Sequence, residues 1–318
     1  MQIAAVLVDW GTSHLRMWAV DCCGGIVGED RSAEGMGATA PSAFAGVLET
    51  HLDRLGAPAD TPVMMCGMVG ARQGWLEAPY VDVPACLDTL VDRAVHVQVP
   101  GRDIRILPGI ADRSAETPDV MRSEETQLLG LCTVAPEPAS RLVCMPGTHA
   151  KWVEIDGAAR QVRRFATALT GELYAALGTS TVLRHSLGTG SVDADHPRFA
   201  EAVAASLERP ETILTRLFAI RPHALLRGEG EADARARLSG TIIGQDIAGA
   251  IARFGRPGRV VLVGGGRLGA LYERALDLAG IAPQIHDGEA LARAGLLAAA
   301  GKVWPHRLGG ANPTQIAV

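Results

Sequence analysis

Aromatic residues are scarce. They make up 4% of the 318 positions against 37 glycines, so a core of this size has to be built from small aliphatic side chains. No apolar run approaches the ~20 residues that a membrane-spanning helix requires. The opening run Ile3–Val8 has no basic flank and stops at Asp9, unlike a secretory leader. An excess of one charge is missing too. With 30 basic and 35 acidic residues the net charge is −5, and no Lys/Arg stripe is available to neutralise phosphates, so nucleic acid is not an expected partner. The six cysteines form no CxxC pair and no Cys/His spacing suited to zinc. Segments such as Met64-Met65-Cys66 point to buried free thiols. What remains is 47% apolar content, which excludes general disorder. The expectation is a soluble, cytoplasmic α/β protein of one large or two packed domains, with homo-oligomerisation left open.

The chain opens as strand Ile3–Val8, turn Asp9–Ser13 and strand Leu15–Asp21, and turns again at Cys22–Gly25 into Ile26–Glu29. That is an antiparallel meander rather than a βαβ unit. Pro41–Leu55 has the helical spacing Phe44, Val47, Leu48, Leu52. Strand Pro62–Met65 runs into the loop Gly67–Gly70, and Ile104–Leu107 is a further strand. The polar segment Asp112–Asp119 is the candidate domain boundary, giving an N-terminal domain 1–112 and a C-terminal domain 113–287. Helix Glu124–Val134 follows, and then the opening pattern recurs: strand Arg141–Met145, turn Pro146–His149, strand Lys151–Ile155, strand Gln161–Phe165. Helices are expected at Gly171–Leu177, Phe199–Glu208, Arg235–Phe254 and Leu268–Ala279. A last helix over 288–300 should return to the first domain, and 304–318 should be a loosely held tail.

Three turns carry chemistry. In Asp9-Trp10-Gly11-Thr12-Ser13, Gly11 lets backbone amides approach an anion and Thr12 and Ser13 offer hydroxyls. Asp9 at the strand end suits magnesium held through water. An ordinary polar β-turn accounts for the same residues. Gly147-Thr148-His149 lies in the equivalent place of the second half, and two such turns are what gripping a polyphosphate needs. His149 serves either phosphate or a structural hydrogen bond. Gly264-Gly265-Gly266-Arg267-Leu268-Gly269 fits the dinucleotide fingerprint formally, with Asp287 downstream as a ribose acceptor. It comes too late in the chain for a full βαβαβ unit, and a glycine turn that lets adenosine lie against backbone explains it with fewer loose ends.

Taken together, Asp9–Ser13, Gly147-Thr148 and Gly264–Gly266 resemble, in order, the two phosphate motifs and the adenosine motif of the sugar kinase/hsp70/actin superfamily. More narrowly, several strings resemble the 2-dehydro-3-deoxygalactonokinase family: Cys66–Gly70, Ala78-Pro79-Tyr80 with Val83-Pro84-Ala85, Met121–Gln127, Met145–Trp152 and Thr170–Leu173. The similarity covers roughly residues 3–300. It departs at Ser123, where the family pattern has Gly. The resemblance implies two actin-like (ribonuclease H-like) domains with mixed sheets and a nucleotide cleft between them. It also implies ATP and Mg2+ as cofactors, and phosphorylation of the 6-hydroxyl of 2-dehydro-3-deoxy-D-galactonate in galactonate catabolism.

Related kinases place a catalytic carboxylate at a helix start before the second phosphate turn, where Glu124 and Glu125 stand here. A Glu in a first helical turn also simply complements the helix dipole. Glu124 shares a helix face with Gln127, whereas Glu125 shares one with Leu128 and Leu129, so Glu124 is the favoured base. An anionic acceptor calls for cations. Arg16, Arg72, Arg122 and Lys151 flank these strings, with Met68 and Gly70 in the sugar-facing loop, although most such side chains are merely solvated. Other readings are a kinase of a related acid such as 2-keto-3-deoxygluconate, an NAD(P)-dependent oxidoreductase using Gly264–Gly269, and a non-catalytic actin-like regulator.

Overall fold

The computed structural model describes residues 2–310, which divide into two units. Unit 1 comprises residues 1–140, 155–164 and 288–318, and unit 2 comprises 141–154 and 165–287. The division therefore falls at Ser140 rather than at 112. Asp112–Asp119 is no linker: strands Ile110–Asp112 and Asp119–Met121 pair antiparallel across it, with Ile110 opposite Met121. Val81–Asp82 completes that small sheet in parallel with Ile110–Asp112.

Strand Ala5–Trp10 is buried along its whole length because it lies inside the main sheet of unit 1. It pairs antiparallel with Leu15–Val20 and parallel with Val63–Cys66, which sets Asp9 beside both Arg16 and Cys66. Ile26–Ser32 forms one edge, and Arg102–Ile106 and Val95–Val99 extend the other. Helix Phe44–Leu55 buries Phe44, Leu48, His51 and Leu52, one side of an amphipathic pattern, and stops at Gly56 in the left-handed conformation. On the site side of the sheet, helix Glu124–Val134 packs against helix Gly288–Val303, which also covers Ala5–Trp10 and Val63–Cys66. The two helices meet backbone to backbone. A Cβ on Gly130 would sit 2.0 Å from the Leu291 carbonyl oxygen, and one on Gly295 2.0 Å from that of Thr126. Residues 304–310, expected to be loose, are anchored: buried Trp304 donates Nε1–H to Asp103 Oδ2 at 2.9 Å, and Leu308 is buried. The rest of that tail, 311–318, lies outside the described residues.

In unit 2 the strands run in the order Ala282–His286, Arg259–Val263, Arg141–Met145, Ala150–Asp156, the first three parallel. Helices Pro197–Glu208 and Glu231–Phe254 cross closely at Gly240, where a Cβ would stand 2.5 Å from the Phe199 carbonyl oxygen. Phe199, Val203, Ile243, Ile247, Leu262 and Tyr272 share one core. Helix Ile213–Arg227, absent from the sequence reading, contains Pro222. The cysteines divide: Cys66, Cys132 and Cys144 are buried, but Cys22 and Cys23 lie exposed in the Asp21–Gly24 turn, against the expectation of buried thiols.

Candidate active site

Unit 1 supplies a carboxylate cluster. Asp9, one residue before the end of its strand, is nearly buried, with Arg16 Nη1 donating to Oδ2 at 3.2 Å and Ser123 Oγ to Oδ1 at 3.3 Å. Burial raises its pKa, and the Arg16 charge and the Ser123 hydroxyl oppose the rise. The contact from Ser123 joins residues far apart in sequence and sets the start of helix Glu124–Val134 beside the Asp9 turn. Ser123 adopts φ +94°, a region in which glycine is at ease and serine is strained. The departure from the family's Gly thus falls where the backbone favours Gly, and the hydroxyl it adds is used on Asp9.

The adjacent glutamates differ sharply. Glu124 is half-buried and its Oε2 accepts the Arg122 backbone N–H at 3.0 Å. Glu125 is fully buried; Thr126 Oγ1 donates to its Oε1 at 3.1 Å, and Oε2 has no hydrogen-bond partner. Burial, then the neighbouring Glu124 charge, push its pKa up to about 8. It is therefore a neutral acid at pH 7.

The turn itself is braced from outside. Gly11 N–H donates to the His14 carbonyl at 2.9 Å, and Met36 and Gly37 donate to the carbonyls of Gly11 and Thr12, each at 2.9 Å. Gly35 lies so close that a Cβ there would be 2.4 Å from the Thr12 oxygen. Gly67 also needs to be glycine, with φ +100° and a Cβ position 2.6 Å from the Trp10 oxygen. Arg16 also reaches Glu289 at 3.7 Å, so it braces acidic groups rather than standing ready for an incoming carboxylate. Arg72 is exposed after the Met68–Gly70 turn. Arg122 is 8% exposed, stacks 4.5 Å over the Tyr80 ring and donates Nη2 to the Ala78 oxygen, while its buried Nε and Nη1 lack partners. Gly70 leaves it room, since a Cβ would lie 3.0 Å from Nη1. Trp75 stacks on Phe44 at 6.1 Å and belongs to the core.

Unit 2 gathers the other turns at one sheet edge. Arg141–Met145 and Arg259–Val263 are parallel, so Gly147-Thr148 and Gly264–Gly266 leave the same ends of neighbouring strands. A Cβ on Gly264 would be 3.6 Å from Pro146, and one on Gly265 3.4 Å from Asp287 Oδ2. Gly266, at φ +61°, opens helix Gly266–Leu278. His149 pairs through Nε2 with Glu172 at 2.5 Å, and buried Lys151 donates Nζ–H to the His149 carbonyl at 3.2 Å. Both hold the turn's own shape. The supports of this turn come from residues distant in sequence, to which sequence alone assigned no such role. Gly171 packs on the Gly147 oxygen, where a Cβ would be 2.6 Å away, and Glu172 N–H donates to the Thr148 oxygen. Asp246, raised in pKa by burial, accepts from Trp152 Nε1 at 3.0 Å, Thr170 Oγ1 at 3.1 Å and Tyr272 O–H. It ties strand Ala150–Asp156 to the helix after Gly264–Gly266. An acid inside helix Glu231–Phe254 on the same side as Ile242 and Ile243 was the only available signal.

Among the described residues no group of three or more His, Cys, Asp or Glu side chains is arranged to hold a metal, and no helix is long and apolar enough to cross a membrane. The profile described as 2-keto-3-deoxy-galactonokinase matches residues 9–299. A probable 2-dehydro-3-deoxygalactonokinase of Rhizobium meliloti (strain 1021) is 46% identical over 94% of this chain and 97% of its own length. The 2-dehydro-3-deoxygalactonokinase of Escherichia coli (strain K12) is 34% identical over 92% and 95%. A crystal structure described as a putative protein of this kind from Sinorhizobium meliloti superposes with TM-score 0.92 at 45% identity, covering 95% of this chain and 99% of that one. The activator of 2-hydroxyisocaproyl-CoA dehydratase from Clostridium difficile, at TM-score 0.50 and 13% identity over 95% of this chain and 96% of its own, shares the fold alone.

Proposed function

Since the chain belongs to the 2-keto-3-deoxy-galactonokinase family and is an ATP-using kinase of two actin-like α/β domains, we propose which of its residues carry the transfer of a phosphoryl group to the 6-hydroxyl of 2-dehydro-3-deoxy-D-galactonate. The observation that carries the assignment is the 3.3 Å contact of Ser123 with Asp9, because it sets the Glu124 helix start against the first phosphate turn. Glu124 accepts the proton of the attacking hydroxyl, and the freed oxygen forms its bond to the γ-phosphorus as the bond to ADP breaks. Glu125, protonated, contributes no negative charge there. The turns Gly11–Ser13 and Gly147–His149 hold phosphate oxygens with backbone N–H groups and the hydroxyls of Thr12, Ser13 and Thr148.

The nucleoside lies on Gly264–Gly266. Beside that turn, Tyr174, Ser239, Ile243, Arg267, Leu268 and Leu271 line a cavity of about 250 Å3, apolar enough for a purine. Arg72 and the unpartnered N–H groups of Arg122 meet the acceptor carboxylate beside Met68 and Gly70. Arg16 holds Asp9, and Lys151 with His149 holds the second turn. Asp9, a nearly buried carboxylate already engaged on both oxygens, would hold Mg2+ through water. When bound, the ion neutralises phosphate charge.

The test is an ADP-release assay across aldonic, uronic and 2-keto-3-deoxy acids. Turnover should be largest with 2-dehydro-3-deoxygalactonate. Asp9→Asn should lower kcat by orders of magnitude in a folded protein, and near-normal kcat in that variant removes Asp9 from the mechanism.

A further inference from the structure

Helix Ile213–Arg227 of unit 2 turns one side into the protein and leaves the other uncovered. Ile220 is buried with Leu183, Leu187, Leu238 and Ile242, and Leu217 joins them. On the opposite side Leu214 and Leu226 are 79% and 80% exposed, and Phe218 and Leu225 63% each. At about 100° per residue, Leu214, Phe218 and Leu225 fall within roughly 40° of arc, with Pro222, Thr215 and Leu226 next to them. The stripe is continuous and uncharged. Neighbouring arginines are turned away from it, Arg216 Nε donating to Thr212 Oγ1 at 2.7 Å and Arg221 Nη1 to Ser186 Oγ at 3.0 Å.

We propose that this stripe is the interface of a homodimer, the helix packing antiparallel against the same helix of a second copy about a twofold axis near Ile220. Leu214 and Leu226 lie equally far in sequence from Ile220. An antiparallel match centred there puts Leu214 against the partner's Leu226 and Phe218 against the partner's Pro222, a self-complementary arrangement. The antiparallel arrangement also aligns opposite helix dipoles. The four apolar side chains expose on the order of 500 Å2, and with their rim approach the ~800 Å2 per partner of a stable interface. A lipid surface is the poorer fit, because an interfacial helix needs cations along its face and Arg216 and Arg221 are spent on internal hydrogen bonds.

Sedimentation velocity on the full chain reads the proposal. The wild type should run as a dimer. Phe218→Glu should weaken association by roughly 30-fold or more while circular dichroism and kinase activity stay unchanged, as expected for a central aromatic anchor. A chain carrying Leu214→Cys and one carrying Leu226→Cys should cross-link to each other under mild oxidation, and neither should cross-link to itself beyond the wild-type background, which only the antiparallel second copy explains. A monomeric wild type, a dimer indifferent to Phe218→Glu, no cross-link between the Leu214→Cys and Leu226→Cys chains, or a monomeric chain that sediments with anionic vesicles would each overturn it.

Discussion

Replacing Gly35 by alanine probes the Asp9–Ser13 turn, the first of the two proposed to hold phosphate, without touching any group assigned to chemistry. Gly35 has φ −66° and ψ 171°, extended backbone that any residue adopts, so the substitution introduces no torsional strain. The obstacle is space: the new Cβ would stand 2.4 Å from both the Thr12 oxygen and the Ser13 carbonyl carbon. Relief requires a movement of about 1 Å, comparable with the overlaps that cost overpacked sites about 1–3 kcal/mol. The hydrogen bonds from Met36 and Gly37 to the turn, both 2.9 Å, move with it and place about 1 kcal/mol each at risk. Destabilisation of about 2–4 kcal/mol is therefore expected. A phosphate turn misplaced by about 1 Å should lower kcat by about 100-fold. Two controls grade the effect. Gly37→Ala brings a Cβ to 3.2 Å from the Thr12 oxygen and should be mild, whereas Gly46→Ala, with nothing within 4 Å and a helical position, should be neutral or stabilising by up to about 1 kcal/mol. Urea unfolding and the ADP-release assay read all three. A Gly35→Ala protein of wild-type stability and kcat would refute the bracing.

Glu124→Gln should lower kcat by about 10²–10⁴-fold with both KM values near wild type, and Glu125→Gln should lower it far less; the reverse ranking in steady-state kinetics would make Glu125 the base. Glu125 takes up a proton on folding, because its folded pKa of about 8 exceeds the ordinary 4.5. Stability should accordingly fall as pH rises between those values, by at most about 1.4 kcal/mol per pH unit, and Glu125→Gln should flatten the slope in urea titrations at pH 5.5 and 8. Ser123→Gly should relieve backbone strain yet remove the donor to Asp9, shifting the acid limb of the kcat–pH profile upward; an unmoved limb would show that the hydroxyl does not tune Asp9. Arg72→Ala should raise the acceptor KM far more than the ATP KM, and equal effects would exclude it as the carboxylate receptor.

Features written in local pattern were legible in the sequence. The Asp9 turn, the Gly147-Thr148 turn and the glycines after Val263 sit at strand ends, as their residue types required. Helical spacing already assigned Glu125 to the side of Leu128 and Leu129, where it lies buried. What escaped depended on distant partners or inverted patterns. Gly35 matters through Thr12, Gly171 through Gly147, and Asp246 through Trp152, Thr170 and Tyr272, none of which is a neighbour in sequence. Helix Ile213–Arg227 was hidden because Pro222 interrupts it and its apolar residues lie on both sides. The segment around 112–119 read as a linker because its strands are only three residues each, too short for alternation to register.

The backbone contact at Gly130 and Gly295 has a consequence for the order in which the protein can be made. Helix Glu124–Val134 is translated about 150 residues before Gly288–Val303, the surface it docks on. Unit 2 lies wholly within 141–287 and has all of its own chain beforehand. During the interval the Thr126 and Leu291 faces are without each other, and strands Ala5–Trp10 and Val63–Cys66 lack the helix that covers them. The nascent chain therefore carries an open apolar sheet face until Gly288–Val303 has been made, a substrate for chaperones.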